Sequence, residues 1–326
     1  MLAVAVIGVV FAYVLPKIAS YGKAWSVAET LSDSWILVLC GVTLLNVLSN
    51  VPPWMAALPG IGFVKAARVA LASNALSIVA PGGIAVGAAA QVKLLRSWGL
   101  RGSSVALATT LTNVLGQLVT FGFPVLAIGA LSAEGGHNSS LDAVAFVGVA
   151  AFVVIASGFA YVLWNAKAAN QIGYAIAGGV TWTKKRFRGS PVRWGGPEFV
   201  HFRAEALQLL RRRWAVLTIS MLASQLAVFL VLIVTLRALG VSGSQVTIVE
   251  AFASWSLIRA LGKIPITPGG FGVEEIALTG ALIGFGAHNG QAVSATLIYR
   301  FLTVFPSIAI GIAAATTFRV GRQPTA

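Results

Sequence analysis

Charge is the scarcest feature of this 326-residue chain. Only 10% of its residues are Asp, Glu, Lys or Arg, and just nine are acidic. Soluble domains carry about 25% charged residues. A chain this poor in them cannot build a polar shell, so a soluble globular fold is excluded. Cysteine is nearly absent: Cys40 stands alone in an apolar run, and no intramolecular disulfide can form. The three histidines, His137, His201 and His288, are scattered without metal-ligand spacing. No Walker A loop is present, which argues against ATP hydrolysis. Glycine-rich stretches such as 177–180 lack a strand-to-helix context. No catalytic motif stands out, so we expect no enzyme, no cofactor and no metal.

Apolar sequence is abundant: the hydrophobic fraction is 57% and the mean hydropathy +0.87. Apolar stretches fall at 1–16, 34–51, 104–131, 143–164, 214–239 and 291–318. A bilayer needs about 20 residues of helix. The first stretch lacks a basic leader and a convincing cleavage site, so it reads as a first span or its remnant. Two more apolar regions, 66–98 and 248–287, are interrupted at Pro81-Gly82-Gly83 and Pro268-Gly269-Gly270. Their arms are marginal or short for a full crossing, and Pro-Gly-Gly stops a helix. Bare backbone at membrane depth is tolerated only inside protein or beside water. Both regions therefore read as re-entrant helical hairpins; kinked full spans are the alternative.

The net charge of +14 is not spread like that of a nucleic-acid binder. Basic residues lie between apolar segments, as the positive-inside rule requires. Segment 165–213 carries Lys167, Lys184, Lys185, Arg186, Arg188, Arg193, Arg203, Arg211, Arg212 and Arg213 against Glu198 and Glu205 alone. It is expected in the cytoplasm, with Lys65 and Arg68, segment 93–103 and the C-terminal tail. Segments 17–33, 132–142 and 240–247 then face outside. This divides the chain into a membrane half at 1–164, a basic cytoplasmic loop at 165–213 and a second membrane half at 214–326. Within the loop, residues 198–213 read as an amphipathic surface helix or as the lead-in to the next span. Asn138-Ser139-Ser140 matches a glycosylation pattern, incidental in an Ala/Val/Gly-rich chain of bacterial character.

The assignment closes only if each Pro-Gly-Gly region returns to the side it entered. The two hairpins then enter from opposite sides, the inverted-repeat plan of many transporters. Displacing residues 78–115 by 187 positions gives ten identities, including the Pro-Gly-Gly itself. The expected fold is an all-α polytopic membrane protein with about six spanning helices and two re-entrant hairpins in inverted repeat.

Six charges remain inside apolar segments: Glu250, Arg259, Lys263, Glu274, Glu275 and Arg300. Each costs about 2.5–3.5 kcal/mol at the centre of a bilayer even on a lenient scale. They must pair, reach water or meet a polar ligand. Glu250 lies near a hairpin mouth, where water can solvate it. Arg259 and Lys263 share a helical face and need an anionic partner. Glu274 and Glu275 follow the second break, where a helix N-terminus favours a carboxylate or a phosphate. Two readings stay open: a charge network that locks the hairpin in place, or a headgroup site in which Arg259, Lys263 and Arg300 grip phosphate. At the displaced positions the first half is neutral, with Asn74, Gln91, Asn113 and Gln117 as its polar groups.

The run Lys263-Ile-Pro-Ile-Thr-Pro-Gly-Gly-Phe-Gly-Val-Glu-Glu, with Leu297-Ile-Tyr-Arg-Phe-Leu-Thr, resembles the signature of the lysylphosphatidylglycerol synthase transmembrane family. Ala80-Pro-Gly-Gly with Lys93-Leu-Leu-Arg96 resembles its looser first-half motif. The resemblance covers about 34–318 and implies a flippase-like protein that moves an anionic or headgroup-modified lipid between leaflets. It carries over to Pro268, Gly269, Gly270, Glu274, Glu275, Tyr299 and Arg300. The aminoacyl-transfer domain of full-length synthases has no room here, so lipid aminoacylation is not implied. Expected partners are membrane lipids bearing phosphate, such as a phospholipid, an aminoacyl-phospholipid or a polyprenyl-phosphate sugar. A second copy of the chain is a further partner to expect. The alternative is a non-transporting scaffold for a lipid-modifying or glycosyl-transferring enzyme, docked through the basic loop.

Overall fold

The computed structural model describes residues 31–80, 83–133, 139–186, 190, 195–263 and 270–316. Every regular element among them is a helix. Sequence this apolar leaves the backbone no water to bond, and a helix satisfies its own N–H and C=O groups. In chain order the helices are α1 (Asp33–Ser49), α2 (Pro52–Ala57), α3 (Phe63–Val79), α4 (Gly83–Ser97), α5 (Gly102–Ala133), α6 (Ser139–Trp164), α7 (Ala166–Arg186), α8 (Gly196–Ala238), α9 (Ile248–Leu261), α10 (Val273–Phe285) and α11 (Asn289–Thr316).

Four stretches are long and apolar enough to cross a membrane: Asp33–Ala57, Gly102–Ala133, Gly196–Ala238 and Asn289–Ala313. They contain the apolar stretches expected at 34–51 and 104–131, all but the last residue of 214–239 and most of 291–318. The stretch 143–164 lies in α6, which with α7 makes a fifth span if that bent pair crosses as one. The expected stretch 1–16 lies outside the described residues. The chain is an integral membrane protein, and outward side chains such as Leu37, Phe146 and Ile276 are at least 73% exposed, as a lipid-facing surface requires.

Residues 198–213 run without interruption into the following span, because α8 is continuous over 43 residues. At 1.5 Å per residue it is about 64 Å long, roughly twice the hydrocarbon thickness. Part of it must therefore stand outside the membrane, and its basic first half is the part that can. The segment before it is helical too, since α7 fills 166–186. A 109° bend separates α6 from α7. Asn165 sits at the bend, and its Oδ1 accepts the backbone N–H of Lys167 (2.9 Å) and of Ala168 (3.2 Å). This caps the new helix.

Helices α3 and α4 pack together and run antiparallel. Gln91 reaches Ser73 (3.4 Å), while Gly87 and Gly83 approach Ser77. Helices α9 and α10 repeat the arrangement: Gly262 abuts Glu274, and Gly286 abuts the Gln245 carbonyl. Displacing α3, α4 and α5 by 187 residues puts their starts at 250, 270 and 289. The helices there begin at Ile248, Val273 and Asn289. Identical residues play identical parts: Leu95 and Leu282 are fully buried, as are Ala108 and Ala295. Gly99 and Gly286 both take positive φ, 77° and 121°, where a side chain would be strained. Contacts between elements cross over as well. Helix α3 packs on α11, and α9 packs on α5.

The interior falls into two main apolar clusters. One gathers α2 to α5 around Trp54, Val69, Leu95 and Val105, joined by Leu217 of α8. The other gathers α8 to α11 around Leu232, Trp255, Leu282 and Tyr299, joined by Phe123 of α5. A third cluster gathers described residues from beside the two breaks. Ile78 and Val79, just before the first break, and Phe271, just after the second, pack on Val304 and Ile308 of α11.

Candidate functional site

Pro81, Gly82, Pro268 and Gly269 lie outside the described residues. Gly83 and Gly270 are described: Gly83 opens α4, and Gly270 precedes the turn into α10. Arg259, Lys263, Glu274, Glu275, Tyr299 and Arg300 come together where the end of α9, the start of α10 and the middle of α11 meet. Glu250 does not join them. It sits in the first turn of α9 and closes a capping box with Thr247. Its Oε2 accepts the Thr247 N–H (2.8 Å), and its own N–H bonds the Thr247 hydroxyl (3.2 Å). Nine residues of helix, about 13 Å, separate it from Arg259. Removing Glu250 leaves three cations and two carboxylates.

Both carboxylates are committed to one cation. Arg300 Nε donates to Glu275 Oε1 (2.6 Å), and Arg300 NH1 to Glu274 Oε2 (2.5 Å). Arg300 is only 5% exposed, and its guanidinium lies 5.2 Å from the centroid of Phe271. Glu275 has a second duty: its other oxygen accepts the Gly272 N–H (2.6 Å), capping α10. The helix N-terminus that could hold a phosphate thus already holds a carboxylate. Glu274 presses against Gly262 and Gly270. A Cβ on Gly262 would come 1.8 Å from Glu274 Oε1, and one on Gly270 2.6 Å. Glycine at both places lets α9 and α10 close over the carboxylate.

Arg259 and Lys263 have no carboxylate within ion-pair distance among the described residues. Arg259 NH2 instead donates to the Gln225 amide oxygen (3.1 Å), and the Gln225 amide donates to Thr120 Oγ1 (3.2 Å). The Arg259 Nε is buried with no hydrogen-bond partner. Its guanidinium lies 6.0 Å from the centroid of Trp255. Trp255 is fixed by donating its indole N–H to Tyr299 Oη (3.1 Å). Tyr299 is thus tied to the site through Trp255. Lys263 lies within electrostatic range of both Arg259 and Glu274.

Sequence reasoning missed Gln225, Thr120, Trp255, Phe271 and Gly262. Gln225 carries a signal, being an amide in the middle of an otherwise apolar span. The others look like ordinary membrane-helix residues. Arg237, also overlooked, donates to the carbonyls of Val241 (2.6 Å) and Val246 (3.0 Å) and holds the turn from α8 into α9. Among the described residues no group of three or more His, Cys, Asp or Glu could hold a metal ion.

The site can do two things chemically. One buried cation is locked by two carboxylates and fixes the start of α10 to α11. A second cation, Arg259, is held by the Gln225 amide and lies over the Trp255 ring, and with Lys263 nearby it remains short of negative charge. No curated protein matches the chain significantly. The family model for the transmembrane region of lysylphosphatidylglycerol synthase matches residues 1–311. The chain belongs to that family of membrane regions.

Proposed function

We propose that the protein is a flippase- or scramblase-like transporter that moves a phosphate-bearing lipid between the leaflets of the bacterial cytoplasmic membrane. The observation that carries this reading is Arg259. It is a cation inside the membrane region whose hydrogen-bonding partner is an amide, and its Nε has none. An arginine there costs about 2.5–3.5 kcal/mol. One hydrogen bond to a charged group returns about 1.5–3 kcal/mol. That leaves little margin for a five-donor guanidinium, with Lys263 adding a like charge nearby. A phosphate between Arg259 and Lys263 supplies the missing acceptor and the missing charge. Arg300 frames the site by holding Glu274 and Glu275. Tyr299 positions Trp255 beneath Arg259.

In this reading the antiparallel pairs α3–α4 and α9–α10 are re-entrant hairpins of an inverted repeat, entering from opposite sides. The matching helix starts and the crossed-over packing of α3 on α11 and of α9 on α5 support it. So does the packing of Ile78, Val79 and Phe271, which border the breaks, on Val304 and Ile308. The headgroup passes between the breaks while the acyl chains stay in lipid. The basic faces of α7 and the first half of α8, with the C-terminus, lie on the cytoplasmic side.

The test is transport of fluorescent phosphatidylglycerol in proteoliposomes, read by dithionite quenching. Arg259→Gln combined with Lys263→Met is expected to lower the rate at least tenfold while the melting temperature in detergent holds. A well-folded double variant that transports at the wild-type rate would refute the assignment.

A further inference from the structure

The first half carries a polar stripe that the basic cluster does not use. Thr109, Asn113, Gly116, Gln117 and Thr120 recur at three- and four-residue spacing along one face of α5. Two hydrogen-bonded groups occupy its ends. At one end Asn113 Nδ2 donates to Gln91 Oε1 (2.9 Å), and Gln91 reaches Ser73. At the other end Thr120 accepts from Gln225, which accepts from Arg259. Gln117 lies between them, four residues from Asn113 and three from Thr120. Its amide oxygen is buried and has no hydrogen-bond partner. The Thr109 hydroxyl, in a residue 8% exposed, is in the same state.

An unpaired buried acceptor is a standing cost. The architecture does not impose it at Gln117, because the position displaced by 187 is Val304, which packs in an apolar cluster. The charged end of the track has the complementary deficit: Arg259 Nε is a donor with no acceptor. One site therefore lacks an acceptor and its neighbour lacks a donor. Thr120, about 4.5 Å along the helix from Gln117, is linked to Arg259 through Gln225.

We propose that Gln117, on one face of α5 with Thr109 and Asn113, is a second, uncharged subsite whose amide oxygen accepts a hydrogen bond from a hydroxyl of the lipid headgroup. This rests on the phosphate site proposed above and names the substrate class more narrowly. The headgroup carries a hydroxyl beside its phosphate, as glycerol and sugar headgroups do. A quaternary ammonium has no N–H or O–H to offer Gln117. A primary ammonium has N–H to offer, but it would enter a region where, among the described residues, Glu274 and Glu275 are already held by Arg300, and Arg259 and Lys263 repel it. Both orphan atoms are covered in this structure, so the headgroup reaches them when the helices over α5 part.

The experiment compares two lipids of equal charge in the same proteoliposomes: phosphatidylglycerol and phosphatidylpropanol, which lacks the hydroxyls. Wild-type protein is expected to move phosphatidylglycerol about tenfold faster, the effect of one hydrogen bond. Gln117→Leu is expected to bring the two rates within about twofold. The readout is a ratio on one preparation, so a partly unfolded variant does not distort it. Equal rates for the two lipids in wild type, or an unchanged ratio in Gln117→Leu, overturn this inference and leave the phosphate site standing. Faster transport of phosphatidylethanolamine than of phosphatidylglycerol overturns the hydroxyl in favour of an ammonium. Slower transport of phosphatidylglycerol and phosphatidylpropanol alike in Arg259→Gln, with their ratio kept, supports the phosphate site independently of Gln117. Failure of wild type to move or bind any of these lipids overturns the proposed function and this inference with it.

Discussion

Replacing Arg300 with Gln should destabilise the fold far more than its single position suggests. The guanidinium holds two carboxylates at once, at 2.6 Å and 2.5 Å, and all three side chains are at most 13% exposed. Breaking a buried pair by removing one partner costs about 3–5 kcal/mol, because the other charge stays buried without compensation. Here two charges are left. Glu275 keeps its bond from the Gly272 N–H, whereas Glu274, packed against Gly262 and Gly270, keeps among the described residues the longer-range attraction of Lys263 and no hydrogen bond. The loss should therefore reach the upper end of that range. The decisive comparison is with Glu274→Gln, Glu275→Gln and Arg300→Gln combined. That triple variant replaces the ionic network by neutral amides of similar shape, and it should recover most of the loss. Unfolding curves in mixed micelles measure both. The reasoning fails if Arg300→Gln costs less than about 1 kcal/mol, or if the triple variant is no more stable than the single one. Because Arg300 carries this structural duty, Arg259 is the cleaner residue for testing transport.

Gly262→Ala should cost about 1–3 kcal/mol by overpacking, because its Cβ would meet Glu274; Gly280→Ala, with open space around it, should shift thermal melting little. Tyr299→Phe removes the acceptor of the Trp255 indole N–H and should cost about 1–3 kcal/mol, visible also as a change in tryptophan emission. Asn165→Ala removes the cap at the α6–α7 bend and should cost about 0.5–2 kcal/mol. Hydrogen exchange should then rise in the first turn of α7 and nowhere else; uniform protection there would contradict the capping role.

The apolar runs, the two Pro-Gly-Gly breaks and the displaced match between halves were legible because each is local. A long apolar run must be helical in lipid, and a Pro-Gly-Gly must stop it. The same logic placed Arg259, Lys263, Glu274, Glu275 and Arg300 near one another, since short helices separate them. It set Glu250 apart at a hairpin mouth but did not find its partner, which the structure supplies as a capping box with Thr247. It also missed α7 in a segment too polar to look like a span.

By itself, then, the sequence determined that this is a helical membrane protein with two broken helix pairs and charge concentrated beside the second. Only the tertiary structure decided how that charge is shared. Arg300 takes both glutamates because α10 and α11 pack with those residues face to face. Arg259 is left to Gln225, 34 residues away on α8, because packing brings that helix against it. Pairing across helices depends on which faces meet, and no local pattern records that.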